Sequence, residues 1–486
     1  MLLRTRIALC ALLACSALGA GALNAAPAPA SHTQADYFEP ATVLMDARTR
    51  ERALSQMKHL GVHALRVELY WQSVAPGANS AARPNFDATN PASYGWGAYD
   101  WIMAKAHELG WKVLLTVTSP VPRWATSNHK APYDTNPNAR AFREFMTAVG
   151  RHYGSQVALF AIWNEPNDAA FLLPQFNSKG QPASPRIYRG LYQEGYAGLQ
   201  AAGLAHPHVL IGETSPAGYV TLSRREARRN ALHDVAPLAF LRGLFCLDSH
   251  YHKAGSCGRL SASGYAHHAY STKAGPYYVS PVRDDVMIGT LSRLERALNL
   301  AARAGAINGG IPLYLTEFGV QSKPNRYLGV SPSKQAEYDA ISEYIAWRNP
   351  RVAAFSQYLL KDGAVGGAPG SGVHGGFVGF QSGLEYISGR PKPLYSAWPV
   401  PLAVFSTHGG YSLWGLVRPA NGSTKVTILI KRRGSRRYTV LKTQSTNSLG
   451  YWSFSSRVRG TSWRVRWTSP SGDKYEGPPI GASRPV

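Results

Sequence analysis

Val157-Ala158-Leu159-Phe160-Ala161-Ile162-Trp163-Asn164-Glu165-Pro166-Asn167 is the stretch whose reading decides the fold. Up to Ile162 it has the apolar, partly β-branched and aromatic character of a strand covered on both faces, and Pro166, with no N–H, cannot extend a ladder. Glu165 is therefore placed at the C-terminal rim of a buried strand. Ile311-Pro312-Leu313-Tyr314-Leu315-Thr316-Glu317-Phe318-Gly319 repeats the design: a short apolar run, a glutamate, then a glycine where the chain must turn.

Outward from these two strands the chain alternates strands with amphipathic helices. Residues 41–46 read as a first strand. Ala53, Leu54, Met57 and Leu60 recur at helical spacing over 48–60, and Gly61 is placed to end that helix. The strand over 64–71 alternates, with Arg66 facing inward. The strand over 112–118 empties into a loop stiffened by Pro120 and Pro122, in which Trp124 offers a flat apolar face suited to a pyranose ring or to rim packing. Helices are predicted over 99–109, 139–153, 187–202, 286–304 and 333–348, and strands over 208–214, 264–270 and 352–360. A basic run over 224–229 reads as a solvated helix face. After Pro401 the pattern changes to short alternating segments at 411–415, 425–430, 438–441, 451–455 and 463–467. Gly, Asn and Ser turns separate them, which predicts a C-terminal β-sandwich of immunoglobulin-like size over 402–486.

Two carboxylates carried on the ends of parallel strands suit glycoside hydrolysis. That reaction takes one protonated carboxyl for the leaving oxygen and one ionised carboxyl for the anomeric carbon. Trp-Asn-Glu-Pro-Asn at 163–167 and Leu-Thr-Glu-Phe-Gly at 315–319 resemble the acid/base and nucleophile strands of clan A glycoside hydrolases, with the families numbered five and thirty-nine nearest. The resemblance implies a (β/α)8 TIM barrel over 36–401 and a retaining mechanism, with Glu165 as acid/base on strand four and Glu317 as nucleophile on strand seven. It implies further that Arg66 keeps Glu317 ionised, that Asn164 meets the sugar 2-hydroxyl, and that Tyr270 donates to Glu317 while His268 lines the acid/base side. His268 and Tyr270, two apart on a strand, share one face. The tryptophan that often ends strand eight in such enzymes is missing: Gln357-Tyr358-Leu359-Leu360 stands there, so the platform is absent or supplied by Tyr358. Glu213 resembles the catalytic motifs superficially, but its place in the strand order assigns it a rim or subsite role. The implied substrate is a β-linked polysaccharide or oligosaccharide. Endo action is favoured by the long loops and the appended domain, against exo action of a xylosidase-like kind or a catalytically silent carbohydrate-binding protein. No cofactor and no metal are expected.

Composition bounds the rest. With 486 residues, 44% of them hydrophobic, the chain can bury a large core. The net charge is +24, and fourteen basic residues between Leu402 and Val486 face only Asp473 and Glu476. The sequence holds no recognition helix or RNP-like motif, which argues against nucleic acid. Adhesion to an anionic wall polymer, an acidic polysaccharide or a membrane surface, or simply a basic soluble surface with no partner, remains. Arg4 and Arg6, the apolar Ile7 to Leu18 and the small residues after them read as a signal peptide over 1–28, and hence as a secreted protein. Leu12-Leu13-Ala14-Cys15 is a weak lipoprotein site, disfavoured by the short apolar region before it. No other segment approaches the roughly 20 apolar residues of a membrane span. Cys246 and Cys257 are then the mature pair. An oxidising compartment favours a disulfide, with zinc ligation through His250 and His252 as the alternative. The glycine-rich stretch 363–383 reads as a flap or a spacer.

Overall fold

Strand–helix alternation closes on itself in this protein. The computed structural model describes residues 31, 34–130, 134–228, 232–363 and 379–484. The signal peptide expected over 1–28 and most of the glycine-rich stretch lie outside the described residues. Eight parallel strands form a closed barrel in chain order: β1 (Ala35–Glu39), β2 (Ala64–Tyr70), β3 (Lys112–Thr118), β4 (Leu159–Ile162), β5 (Val209–Thr214), β6 (Gly264–His267), β7 (Leu313–Leu315) and β8 (Val352–Tyr358). Pairing of β1 with β8, from Ala35 opposite Ala354 to Glu39 opposite Tyr358, seals the seam.

The first strand differs from the sequence expectation. Residues 41–44 form a short 3-10 turn, and the strand is Ala35–Glu39, directly before Pro40. Its pairing on both sides, with Leu65 of β2 and with β8, overrides the apolar look of the later segment. Strand β6 stops at His267, so His268 and Tyr270 lie just beyond the ladder.

Side-chain alternation sorts the barrel interior into layers. Tyr37, Ala64, Leu114, Ala161, Leu210, Ala266 and Ala354 pack together as an apolar floor. Two residues further along the same inward faces stand Glu39, Arg66, Thr116 and Ser356, all buried. The interior therefore turns from apolar to polar toward the C-terminal ends of the strands. Outside, helices such as Ala139–Tyr153 lay an apolar stripe (Phe142, Phe145, Met146, Val149) on the strands, and Asn138 caps that helix by accepting from the Ala141 N–H at 3.0 Å. Cys246 and Cys257 are disulfide-bonded, with Cα atoms 6.0 Å apart, so neither sulfur is left for zinc. No helix among the described residues is long and apolar enough to cross a membrane.

The C-terminal domain is a sandwich of two antiparallel sheets. One has the order β13 (Tyr451–Ser456), β10 (Gly410–Leu416), β9 (Leu402–Thr407). The other has the order β12 (Tyr438–Ser445), β11 (Lys425–Lys431), β14 (Ser462–Thr468), β15 (Lys474–Glu476). Strands β9 and β15 were not read from the sequence. Leu402–Phe405 is buried throughout and shows no alternation, because Ala403 and Phe405 meet the barrel helix Pro332–Trp347 while Leu402 and Val404 join the sandwich core. Across this contact Tyr344 stacks near Phe405 with ring centroids 4.6 Å apart. Arg418 buries its guanidinium between the domains, donating to Glu343 at 2.8 and 2.6 Å and to Asp36 of β1 at 2.6 Å. Gly61 allows the approach: it has φ +82, and a Cβ there would stand 2.6 Å from the Pro419 nitrogen.

Removing one member of a buried ion pair strands the others without compensation. Arg418→Ala is expected to cost about 3–5 kcal/mol in denaturant unfolding. Arg418→Met combined with Glu343→Leu and Asp36→Asn, which removes all three charges, should recover most of the loss. A single substitution costing no more than an exposed charge would exclude this anchor.

Candidate active site

Arg66, fully buried on β2, gathers the polar layer of the barrel. Its Nη1 donates to Glu39 and, at 3.1 Å, to Glu317. Its Nη2 donates to the Asn164 side-chain oxygen at 2.7 Å and to Glu213 at 2.9 Å, and Nε reaches the other Glu213 oxygen at 3.3 Å. Glu68 stands 3.8 Å from Nη2. Backbone at the end of β4 is held in the left-handed region at Trp163 (φ 71) and Glu165 (φ 38), and so is Glu213 (φ 45) at the end of β5. Such conformations cost about 1–3 kcal/mol each and persist only where surroundings fix them. Here the neighbours do so: Trp163 N–H donates to Val117, Asn164 N–H to the Thr118 hydroxyl, and Glu165 N–H to the Glu213 carbonyl, at 2.9–3.0 Å.

Glu165 and Glu317 are brought together at the mouth. His268 bridges them, its Nδ1 lying 2.8 Å from Glu165 Oε1 and 3.6 Å from Glu317 Oε2. One oxygen of each glutamate and a nitrogen of His268 lie within 4.8 Å of one another. Tyr270 donates its hydroxyl to the other oxygen of Glu317. The same three groups are spaced closely enough to hold a metal ion, but with Arg66 beside them they already have a cation.

Burial dominates the electrostatics. It pushes Glu165 well above the ordinary carboxylate range, reinforced by Asp168, with Arg66 opposing. Glu317 is pushed up to about 7, again by burial first, with His268 and Arg66 pulling it back. Arg66 and Tyr270 therefore do not hold Glu317 at an ordinary carboxylate value, as the sequence reading expected. One guanidinium divided among several acids cannot offset the desolvation of each. Burial also lowers His268 and favours its neutral ring.

The structure places the remaining expected residues differently. Trp124 is 8% exposed: its ring packs edge-on to Trp71 at 5.7 Å, beside Phe86 and under Arg83. Its burial and the Arg83 guanidinium over its ring favour the rim-packing alternative over the sugar platform. Tyr358 lies at the site, bordering a cavity of about 120 Å³ that Glu39, Arg66, Glu68 and Tyr70 also line. Phe380 stands edge-on to Tyr358 at 5.1 Å and 5.8 Å from Tyr270. The sequence reading did not find it, since it sits in a glycine-rich stretch with no periodicity. Glu39 and Glu68 were also missed. The inward alternation of β2 from Arg66 to Glu68 was the available signal for one; the misplaced first strand hid the other.

No family model matches this chain, and no curated protein matches it. Solved structures of similar architecture exist. A glucosidase from Croceicoccus marinus has TM-score 0.48 at 10% identity, covering 84% of this chain and 90% of that one. The β-glycosidase of Thermosphaera aggregans has TM-score 0.45 at 13% identity, covering 76% and 95%. Xylanase 10B of Thermotoga maritima has TM-score 0.41 at 13% identity, covering 75% and 94%. At these scores the functional reading rests on the site itself.

Burying Glu317 has a consequence for stability. A carboxyl held near 7 in the folded chain, against an ordinary 4.5, binds its proton more tightly when folded, so its contribution is full below pH 4.5 and is lost as pH rises through 7. Glu317→Gln, neutral throughout, is expected to match the parent chain near pH 4 and to exceed it by up to about 3 kcal/mol at pH 8. Unfolding curves giving the same difference at both pH values would refute the shift.

Proposed function

We propose that this protein is a retaining glycosidase acting on β-linked glycans, with Glu317 as nucleophile and Glu165 as acid/base. One observation carries the reading: the two carboxylates approach within 4.8 Å at the C-terminal ends of β4 and β7 of a closed barrel. Retaining enzymes separate their carboxyls by about 5–5.5 Å, whereas inverting ones need about 6.5–9.5 Å to admit a water. An ionised Glu317 oxygen attacks the anomeric carbon while the Glu165 proton passes to the leaving oxygen, so the glycosidic bond breaks and a glycosyl ester forms. Glu165, now a carboxylate, takes a proton from water. The water oxygen attacks the same carbon, and Glu317 departs with the configuration retained. Asn164, its side-chain oxygen engaged by Arg66, keeps its amide donors for a sugar hydroxyl.

Endo action on a polysaccharide belongs to the same proposal. It is supported by the long segments 163–183, after β4, and 215–263, between β5 and β6, on the face where such barrels bind substrate. Exo action is separated from it by product length. An anionic wall polymer carrying the scissile glycan is the partner proposed for the sandwich. Export is proposed from the N-terminal signal and is supported by the disulfide. Mass spectrometry of the protein made in a secreting host should find the mature N-terminus between residues 22 and 30, and an intact Met1 would overturn export.

Turnover of aryl β-glycosides and β-linked polysaccharides is expected to fall by at least about 10⁴-fold in Glu317→Gln, with retained anomeric configuration in the products of the parent enzyme. The rate should rise with pH through about 7 as Glu317 ionises, then fall at higher pH as Glu165 loses its proton. Inverted products, or equal rates from parent and variant, would sink the assignment. Binding of the same polymers without turnover would leave a carbohydrate-binding protein.

A further inference from the structure

Between Leu402 and Gly472 the sequence contains no acidic residue. The β11–β12 turn carries Arg432, Arg433, Arg436 and Arg437, and the β13–β14 segment carries Arg457 and Arg459, all exposed. These two loops are neighbours: the Thr461 N–H donates to the Lys431 carbonyl at 2.8 Å, and Tyr438 and Ser462 share a hydroxyl bond at 2.6 Å. Six guanidinium groups are thereby gathered at one end of the sandwich. Among the described residues none of them is ion-paired, whereas Arg464 and Arg466 of β14 are matched with Glu476, and Arg418 after β10 with Glu343 and Asp36. Like charges within a Debye length of about 8 Å repel, and a surface tuned for solubility intersperses both signs. The unmatched cluster has no internal role to balance its cost.

We propose that this end of the sandwich binds a polyanionic glycan, a polymer whose sugar backbone carries repeated carboxylates or phosphates. The choice of a glycan rests on the glycosidase reading. The charge complementarity does not. Guanidinium groups match such oxyanions bidentately, and their spread over two exposed loops suits an extended chain better than a single small anion. Ion exchange at the polymer then makes binding strongly salt-dependent.

The test uses the full chain and the Glu317→Gln variant on immobilised polygalacturonate, a phosphomannan, neutral β-glucan and double-stranded DNA, at about 50 and about 200 mM salt. At least one anionic glycan should be bound about tenfold or more tighter than neutral glucan, equally by both chains, with a steep loss at the higher salt. Which of the two is preferred separates uronate from phosphate. Arg432→Ser/Arg433→Ser/Arg436→Ser/Arg437→Ser should lose about tenfold in affinity, with turnover of a small aryl glycoside unchanged. Arg457→Ser/Arg459→Ser, on the other loop, should lose affinity as well. Undiminished binding by both variants, indifference to salt, or tighter binding of DNA than of either glycan would overturn the proposal. Failure of the glycosidase reading would instead show as no turnover with binding intact.

Discussion

Arg66 is the interaction on which the barrel mouth depends. Its guanidinium ties Glu39 of β1, Glu213 of β5, Asn164 after β4 and Glu317 after β7 to its own strand β2. Five of eight strands are laced at their C-terminal ends by one side chain. An arginine can do this because its donors are fixed in a plane and it stays charged when buried. A lysine would offer one point charge with nothing to orient the second and third partners. The apolar floor beneath it, Tyr37 with alanines and leucines, packs without a charged group, so its ionic partners come from the strand ends around it.

The arrangement is unbalanced by design of the sequence. Glu39, Glu68, Glu165, Glu213 and Glu317 surround a single permanent cation, and burial pushes Glu39 upward as it does the two glutamates at the mouth. Burial therefore favours the protonated form of these three, and position decides which of them holds its proton more tightly. Glu317 has Arg66 and Tyr270 on its oxygens; Glu165 has only His268, whose ring burial keeps neutral, and Asp168 nearby. The poorer set of partners keeps the proton longer. Two carboxyls with environments of unequal quality, at a separation too small for both to ionise freely, have the asymmetry that the proposed acid and nucleophile require.

Much of this was legible because the chemistry sits at strand ends, where an apolar run stops in a polar cluster. Glu165, Asn164 and Glu317 were found that way, and Arg66 by alternation within β2. Tertiary context hid the rest. Glu39 escaped because Ala35–Glu39 is a strand only by virtue of pairing with β2 and β8; locally, the apolar segment after Pro40 looks better. Trp124 stayed open between two roles because an aromatic in a proline-rich loop has the same sequence appearance whether its faces are free or covered. Strand β9 lacked alternation because both its faces are buried, one by the sandwich and one by a barrel helix. Positive φ at Trp163, Glu165 and Glu213 had no glycine to announce it.

The domain interface offers a control on the reading of shifted carboxyls. Around Arg418, burial pushes Asp339 up to about 7 and Glu343 up to about 8, as far as Glu317. A perturbed carboxyl alone does not designate a site. The difference is access. Glu343 gives both oxygens to the Arg418 fork and is fully buried, and Asp339 is 2% exposed. Glu165 and Glu317 instead keep 13% and 8% of their side-chain surface open at the barrel mouth, next to Tyr358 and Phe380 and above a polar layer. The same physics of one guanidinium among buried acids thus makes a clamp where the acids are sealed from solvent. Where two of them face outward with donors beside them, it leaves open the access that the proposed proton transfer and bond formation need.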